Sequence, residues 1–154
     1  MIRLLFTTFF VFFKLCPMTE TRMDLGGFQE QGVEGFVYRI SGNQMPSPGI
    51  KPSMPNGIPT TVYVFELTNI NQVSRLGQTA FYKSIKTKFV RKLESAADGH
   101  FSVQLPVGSY SFFTKKNDLF YANWFDTNNN IAPVTVMSGK MTAIKIRIDY
   151  DANY

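Results

Sequence analysis

Apolar and polar residues alternate along most of the chain beyond residue 31, which is the period of β-strands that bury one face. The stretch DGHFSVQLPVGSY, Asp98–Tyr110, places Phe101, Val103 and Leu105 on one side of a strand between two turn signals. The closing stretch KMTAIKIRIDY alternates isoleucine with lysine and arginine in the same way. No long helical period appears, so these patterns predict an all-β fold.

Other parts of the chain also have strand composition, and turns or loops separate them. These strand-like stretches are GVEGFVYRI (32–40), TTVYVFEL (60–67), KSIKTKFVRKLESA (83–96) and LFYANWFD (119–126). The proline-rich segment Ser41–Pro59 is predicted to be a long loop, and a short helical turn capped by Thr68 or Asn69 is expected before Gly77. About seven strands at this spacing predict an antiparallel β-sandwich.

The N-terminal segment has the pattern of a targeting signal. Arg3 precedes an apolar run of about ten residues, which fits the core of a secretory signal and is too short to span a bilayer. Lys14 follows and no small residues mark a cleavage site, so the sequence is compatible with cleavage, with lipidation of Cys16, or with retention as a buried strand. We predict targeting by residues 1–22, a linker at 23–31 and one domain at 32–154. The expected location is exported: periplasmic, outer-membrane-associated or secreted.

The composition of the chain argues against several classes of function. The 154 residues carry 16 basic and 11 acidic side chains, a net charge of +5 that is too modest and dispersed to predict nucleic-acid binding. The single cysteine excludes an intrachain disulfide, a dithiol redox site and a zinc–thiolate cluster. No cofactor is predicted, and any membrane contact is expected only through an N-terminal anchor.

The residues needed for catalysis are scarce. His100 is the only histidine, it follows the Asp98-Gly99 turn, and no sequence partner orients it as a general base. There is no G-x-S-x-G nucleophile motif and no usable cysteine. We therefore predict a solvent-facing turn histidine and a protein that is not an enzyme.

The best candidates for binding lie together in the stretch FYANWFDTNNN. Tyr121 and Trp124 are aromatic rings that can stack on sugar faces if they are exposed. Asp126 and Asn128 begin a D-x-N-x-N spacing typical of calcium loops, but Ile131 stands where the sixth-position glycine belongs. We expect an asparagine-rich turn there and no metal. The basic run Lys83–Lys92 is expected to be the charged outer face of an edge strand.

These motifs together resemble the carboxypeptidase regulatory-like domains, relatives of the transthyretin and Cna-B-type sandwiches. DGHFSVQLPVGSY is similar to the signature D/N-G-x-F-x-x-x-L-P-x-G-x-Y, GVEGFVYRISG to the first strand V-x-G-x-V, and PVTVMSGKMTAIKIRID to the usual ending. The resemblance spans about Gly32 to Tyr150 and implies a Greek-key, prealbumin-like sandwich. The long insertion before Thr60 departs from the short turn usual in the family.

The related enzymes are a poor match. The transthyretin-like hydrolases end in a Tyr-Arg-Gly-Ser motif, and the sandwich dioxygenases bind iron through two tyrosines and two histidines; this chain has neither set. The expected function is that of an exported, non-catalytic module with a structural or binding role in the cell envelope. Its partner would be an envelope protein or a glycan. The alternative is a carbohydrate-binding module that uses the aromatic residues near Trp124.

Overall fold

The computed structural model describes residues 30–45 and 55–154. These residues form eleven β-strands and one 3₁₀ turn, so the prediction of an all-β fold is confirmed. The strands are β1 (Gly32–Asn43), β2 (Asn56–Gly57), β3 (Thr61–Glu66), β4 (Val73–Arg75), β5 (Phe81–Ile85), β6 (Phe89–Glu94), β7 (His100–Gln104), β8 (Gly108–Lys116), β9 (Leu119–Tyr121), β10 (Pro133–Val136) and β11 (Met141–Asn153). The predicted targeting segment 1–22, residues 23–29 of the predicted linker 23–31 and residues 46–54 of the predicted loop Ser41–Pro59 lie outside the described residues. That loop is shorter than predicted, because β1 runs on to Asn43 and β2 lies at Asn56–Gly57.

Two sheets face each other. The small sheet has four strands in the order β11-β1-β2, with β7 also paired to β1, and the large sheet has seven in the order β4-β5-β9-β8-β3-β6, with β10 also paired to β8. Their apposition confirms a β-sandwich, while the Greek-key and prealbumin-like connectivity stays a prediction. The pairing is antiparallel except between β1 and β11, which run parallel from Gly32↔Met141 onward. Parallel and antiparallel strands show the same alternation of apolar and polar residues, so the sequence pattern could not reveal this parallel pair.

The main core fills the space between the sheets. Phe101, Val103 and Leu105 lie in it, as the alternation predicted, and the last of them is 3% exposed. The other buried members are Val33, Val37, Val62, Val64, Tyr110, Phe112, Val134, Val136 and Ile148. Burial of these side chains from both sheets supplies the main driving force for folding.

A second core covers the outer face of the large sheet. It contains Phe65, Tyr82, Phe113, Ala122, Ile131 and Ala132, with Tyr63, Ile70, Val73, Ile85 and Phe120 packed against them. Every residue of β8 from Tyr110 to Thr114 is consequently buried. The alternation had placed Tyr110 and Phe112 on one buried face, but it had not shown that the opposite face of this strand is also covered.

The predicted turn and corner around β7 are confirmed. Gly99 has φ +90°, and a Cβ there would lie 2.2 Å from the carbonyl oxygen of Val37, so only glycine fits. Asp98 accepts a hydrogen bond from the His100 amide at 3.1 Å, which lowers the pKa of its carboxyl. His100 is exposed, with Asp98 3.2 Å from its Nδ1. At the far corner, the Tyr110 hydroxyl donates to the Pro106 carbonyl at 3.0 Å.

Two strand predictions need correction, and the helical turn is confirmed. The stretch 83–96 is two strands in different parts of the large sheet: β5 lies beside β9, whereas β6 is the edge strand beside β3, so the chain must break between them. The strand predicted over 119–126 ends at Tyr121. The 3₁₀ turn Ile70–Gln72 is capped by Asn69, one of the two predicted caps. Within the described residues, no helix is long and apolar enough to span a membrane.

Candidate functional site

A cavity of about 410 Å³ opens between β11 of the small sheet and the β9–β10 side of the large sheet. We call this cavity the edge slot. Its apolar lining includes Phe112, Ala122, Val134, Ile144 and Ile146, and its polar and aromatic lining includes Asn123, Trp124, Thr135, Thr142, Lys145 and Arg147. The volume falls within the range of small-ligand sites, and the mixture of apolar walls with a few polar groups is typical of them.

Side-chain hydrogen bonds join the two walls of the edge slot at both ends. At one end the Thr142 hydroxyl donates to the Thr135 carbonyl oxygen at 2.9 Å, which ties β11 to β10. At the other end Tyr121 and Asn123, which both line the slot, donate to Asp149 Oδ1, each at 2.5 Å. These contacts between the two sheets therefore hold the two walls of the slot at a fixed distance at both ends.

Asp149 is the common acceptor of the hydrogen bonds that join the two walls at this second end of the slot. Besides Tyr121 and Asn123, it accepts a hydrogen bond from the Tyr154 hydroxyl at 2.8 Å and pairs with Arg147 Nε at 3.0 Å. Burial raises the pKa of the Asp149 carboxyl, but the hydrogen bonds outweigh that effect and hold the pKa below its usual value. Burial and the neighbouring carboxylate raise the pKa of Tyr121. The cluster is therefore an ionised aspartate held by neutral tyrosines at neutral pH.

Tyr121, predicted from the sequence as a ligand-binding ring, is only 4% exposed. Its ring packs against Phe81 and Tyr150, with centroids 5.0 and 5.1 Å away. Because the ring is buried, Tyr121 is not an exposed stacking platform, while its assignment as a ligand-binding residue stays a prediction. Tyr121 instead shapes the end of the edge slot through its hydroxyl group.

Trp124 lies at the edge slot with 47% of its surface exposed. The amide of Ala132 donates to its carbonyl oxygen at 3.0 Å, so the backbone beneath the ring is held in place. Phe125 beside it is 37% exposed and carries the guanidinium of Arg75 5.9 Å from its ring centroid. A half-exposed indole on an anchored backbone can contact a ligand at the slot without a large loss of side-chain freedom.

Asp126 and Asn128 belong to a turn that the Asp126 carboxylate closes and that the Asn69 side chain also holds, since its amide donates to the Asn128 carbonyl oxygen at 2.8 Å. Asp126 Oδ1 accepts from the amides of Asn128 and Asn130 at 2.9 and 2.8 Å, and its Oδ2 accepts from the Asn130 side chain at 2.8 Å. Exposed backbone at Asn129 takes a left-handed φ of 63°. Desolvation raises the pKa of Asp126, but these hydrogen bonds outweigh it and lower the pKa. Across residues 30–45 and 55–154, no three potential metal ligands cluster.

Replacing Asp126 with alanine is expected to open this turn without unfolding the domain. The amides of Asn128 and Asn130 lose their carboxylate acceptor and should exchange with solvent markedly faster, while the amides of β8 keep their protection. Amide hydrogen exchange followed by NMR measures both. Unchanged exchange at Asn128 and Asn130 would contradict a structural role for the carboxylate.

Several slot residues were not found from the sequence. Asp149, Asn123 and Arg147 attract no attention as a motif, because they come from two distant parts of the chain and meet only through the packing of the sheets. Lys145 and Ile144 were assigned to a strand, but the alternation does not show which edge of that strand is unpaired. The sequence does show a change of charge there: the acids Asp149 and Asp151 follow Lys145 and Arg147 at alternate positions of β11.

Comparisons with known proteins add no assignment. No family model matches the chain. The search of curated proteins gave no match, and neither did the search of solved structures. The geometry of the edge slot and the sequence are therefore the features that bear on function.

Proposed function

We propose that this chain is an exported, non-catalytic β-sandwich module of the carboxypeptidase regulatory-like type that binds a cell-envelope partner at the edge slot. The observation that carries the proposal is the slot itself, about 410 Å³ in volume, tied at both ends, with a half-exposed tryptophan at its side. A cavity held open by the fold is prepared for a ligand, because little ordering is needed on binding.

The rest of the proposal depends on the sequence. Export follows from the Arg3-led apolar segment, and the absence of catalysis follows from the lack of a base–nucleophile pair. His100 carries Asp98 beside it but lies in an exposed turn, whereas the edge slot is lined by other residues. The residues that line the slot therefore suit the binding of a ligand better than hydrolysis.

Carbohydrate binding is the second candidate function, and the exposure of Trp124 favours it. An indole face suits the apolar face of a sugar ring, and Asn123 and Thr135 nearby supply groups that can bond to hydroxyls. A glycan of the cell envelope is the ligand class that this candidate function implies.

Replacing Trp124 with alanine is expected to weaken ligand binding at least tenfold, since it removes a half-exposed indole ring from the side of the slot. Trp124 is the single tryptophan of the chain, so its fluorescence reports directly on this site. The wild-type chain is screened on a glycan array and by fluorescence titration, and the variants are compared on the array.

The matched control is Phe89→Ala, which removes a 49% exposed ring from the edge strand β6. That variant should bind as the wild type does. Binding that survives Trp124→Ala but falls with Phe89→Ala would move the site away from the edge slot and overturn the proposal.

A further inference from the structure

The edge slot lies along the main chain of β11 and not only against its side chains. Four consecutive residues, Ile144–Arg147, line it. Consecutive side chains of a strand point to opposite faces, so a cavity that contacts all four must lie beside the edge of the strand. The opposite wall repeats this feature, because Pro133, Val134 and Thr135 of β10 also line the slot in succession. The slot is therefore a gap between two strand edges.

The edge of β11 that faces the slot is free to pair. Among the described residues β11 pairs with β1 on one side and with no strand on the other. No proline occurs in its sequence, MTAIKIRIDYDAN, whereas β10 begins with Pro133, which has no N–H to donate. Unpaired edges of long strands readily accept another chain. β11 is thus the better template of the two edges.

The side chains of β11 define what a paired strand must carry. Lys145 and Arg147 are exposed on one face, and Ile144 and Ile146 are partly buried on the other. Lys145 forms no ion pair within the part of the chain that the structure describes. Its direct neighbour on β1 is Phe36, which offers no carboxylate. An acidic residue on an added strand would therefore complement Lys145, and a second would add to the carboxylate that Arg147 already has in Asp149, while apolar residues between them would enter the slot.

We infer that the envelope partner presents an extended peptide of alternating acidic and apolar residues, which adds to β11 as a further strand in the edge slot. This inference depends on the proposed binding function and specifies its ligand as protein. Main-chain hydrogen bonds to β11 supply affinity, and the alternation of Lys145 and Arg147 with Ile144 and Ile146 supplies register and selectivity. A sugar would contact Trp124 but would use neither the free edge nor the charge alternation.

The test uses the full chain and an acetylated, amidated decapeptide of alternating Glu and Val. Binding should shift the Trp124 emission and should slow hydrogen exchange of slot-facing amides between Thr142 and Arg147. A decapeptide of alternating Lys and Val should bind at least tenfold more weakly. Two further versions of the Glu/Val decapeptide carry N-methyl groups on alternate backbone amides, so that each version has one of its two hydrogen-bonding edges blocked. Loss of binding with one methylated edge alone supports strand addition, and equal binding by both methylated peptides overturns it.

Lys145→Glu is expected to weaken binding of the acidic peptide about tenfold and to strengthen binding of the basic one. The control is Arg91→Glu, which makes the same change in charge on β6, an edge strand of the large sheet, and should leave both affinities unchanged. An equal effect of both variants would show non-specific attraction and would overturn the inference.

The inference and the proposed function can fail separately. If glycans shift the Trp124 emission and the acidic peptide does not, the peptide inference is wrong and the edge slot remains a binding site. If neither ligand class shifts the emission and β11 amides keep their exchange rates, both are wrong. Protection of the β11 amides by the acidic peptide, with no effect of glycans, supports both.

Discussion

Replacing Phe113 with alanine is expected to lower the free energy of unfolding by about 4 kcal/mol, the range for a fully buried phenylalanine. Phe113 is 0% exposed, and the rings of Phe65, Tyr82 and Phe120 meet it edge to face with centroids 5.7, 5.8 and 6.2 Å away. Removing the ring leaves a cavity among aromatic side chains that are fixed by the sheet, so little relaxation can fill it. Chemical denaturation measures the loss, and the m-value is expected to stay the same as in the wild type.

Phe89→Ala is the matched control for this prediction. Phe89 is 49% exposed on the edge strand β6, and its ring lies on the solvent side of Phe65, a member of the second core, with centroids 5.5 Å apart. The expected loss is about 1 kcal/mol or less. If Phe113→Ala cost no more than Phe89→Ala, the outer face of the large sheet would not be a second core.

Asp149→Ala is expected to cost about 3 kcal/mol and to abolish binding at the edge slot. The side chain is 9% exposed and accepts from Tyr121 and Asn123, so its removal leaves buried donors without an acceptor. It also releases one end of the slot, because those hydrogen bonds join β11 to the β9 side. Denaturation measures the first effect, and Trp124 emission with ligand measures the second.

The same carboxylate predicts a loss of stability in acid. Hydrogen bonds hold the folded pKa of Asp149 below its unfolded value of about 3.9. Its contribution is therefore complete at higher pH and is lost as the pH falls through the folded pKa. Asp149→Asn should make the free energy of unfolding less dependent on pH in that acidic range. The raised pKa of Tyr121 gives the complementary loss above about pH 10, where the unfolded tyrosine ionises more readily.

Two further variants test whether the stability comes from the hydrogen bonds of Asp149 and not from the removal of any negative charge. Glu94→Ala removes an exposed carboxylate on β6 that has no ion pair in the described residues, and it should change stability by less than about 0.5 kcal/mol. Tyr121→Phe combined with Asp149→Ala should cost less than the sum of the two single changes, since both remove the same hydrogen bond. Strict additivity would show that the two groups do not interact.

Much of the fold could be read from residues whose role is local. The Asp98-Gly99 turn, the inward Phe101, Val103 and Leu105 and the Tyr110 corner are encoded within one short stretch, and the structure confirms each. The Asn69 cap is local in the same sense, because its side chain accepts from the Asn71 amide two residues away. Turns, caps and alternation depend on neighbours in the chain, which the sequence states directly.

The candidate site could be predicted only in part. Trp124 was found because a tryptophan in an aromatic stretch beside a polar turn is conspicuous, and the structure places it at the edge slot. Tyr121 carried the same signal but is buried, since its strand pairs with β8 beneath Tyr150. Composition cannot separate these two rings, because their exposure depends on which strands lie above them.

By itself, the sequence determined that this protein is all-β, that a tight turn precedes β7, and which face of β7 is inside, because those properties follow from local turns and a period of two. The tertiary structure alone decided that β1 and β11 run parallel, that both faces of β8 are buried, and that Asp149 ties β11 to Tyr121 and Asn123. The physical reason is that strand direction, edge position and the second covered face depend on contacts between residues far apart in the chain, and alternation is identical for every such arrangement.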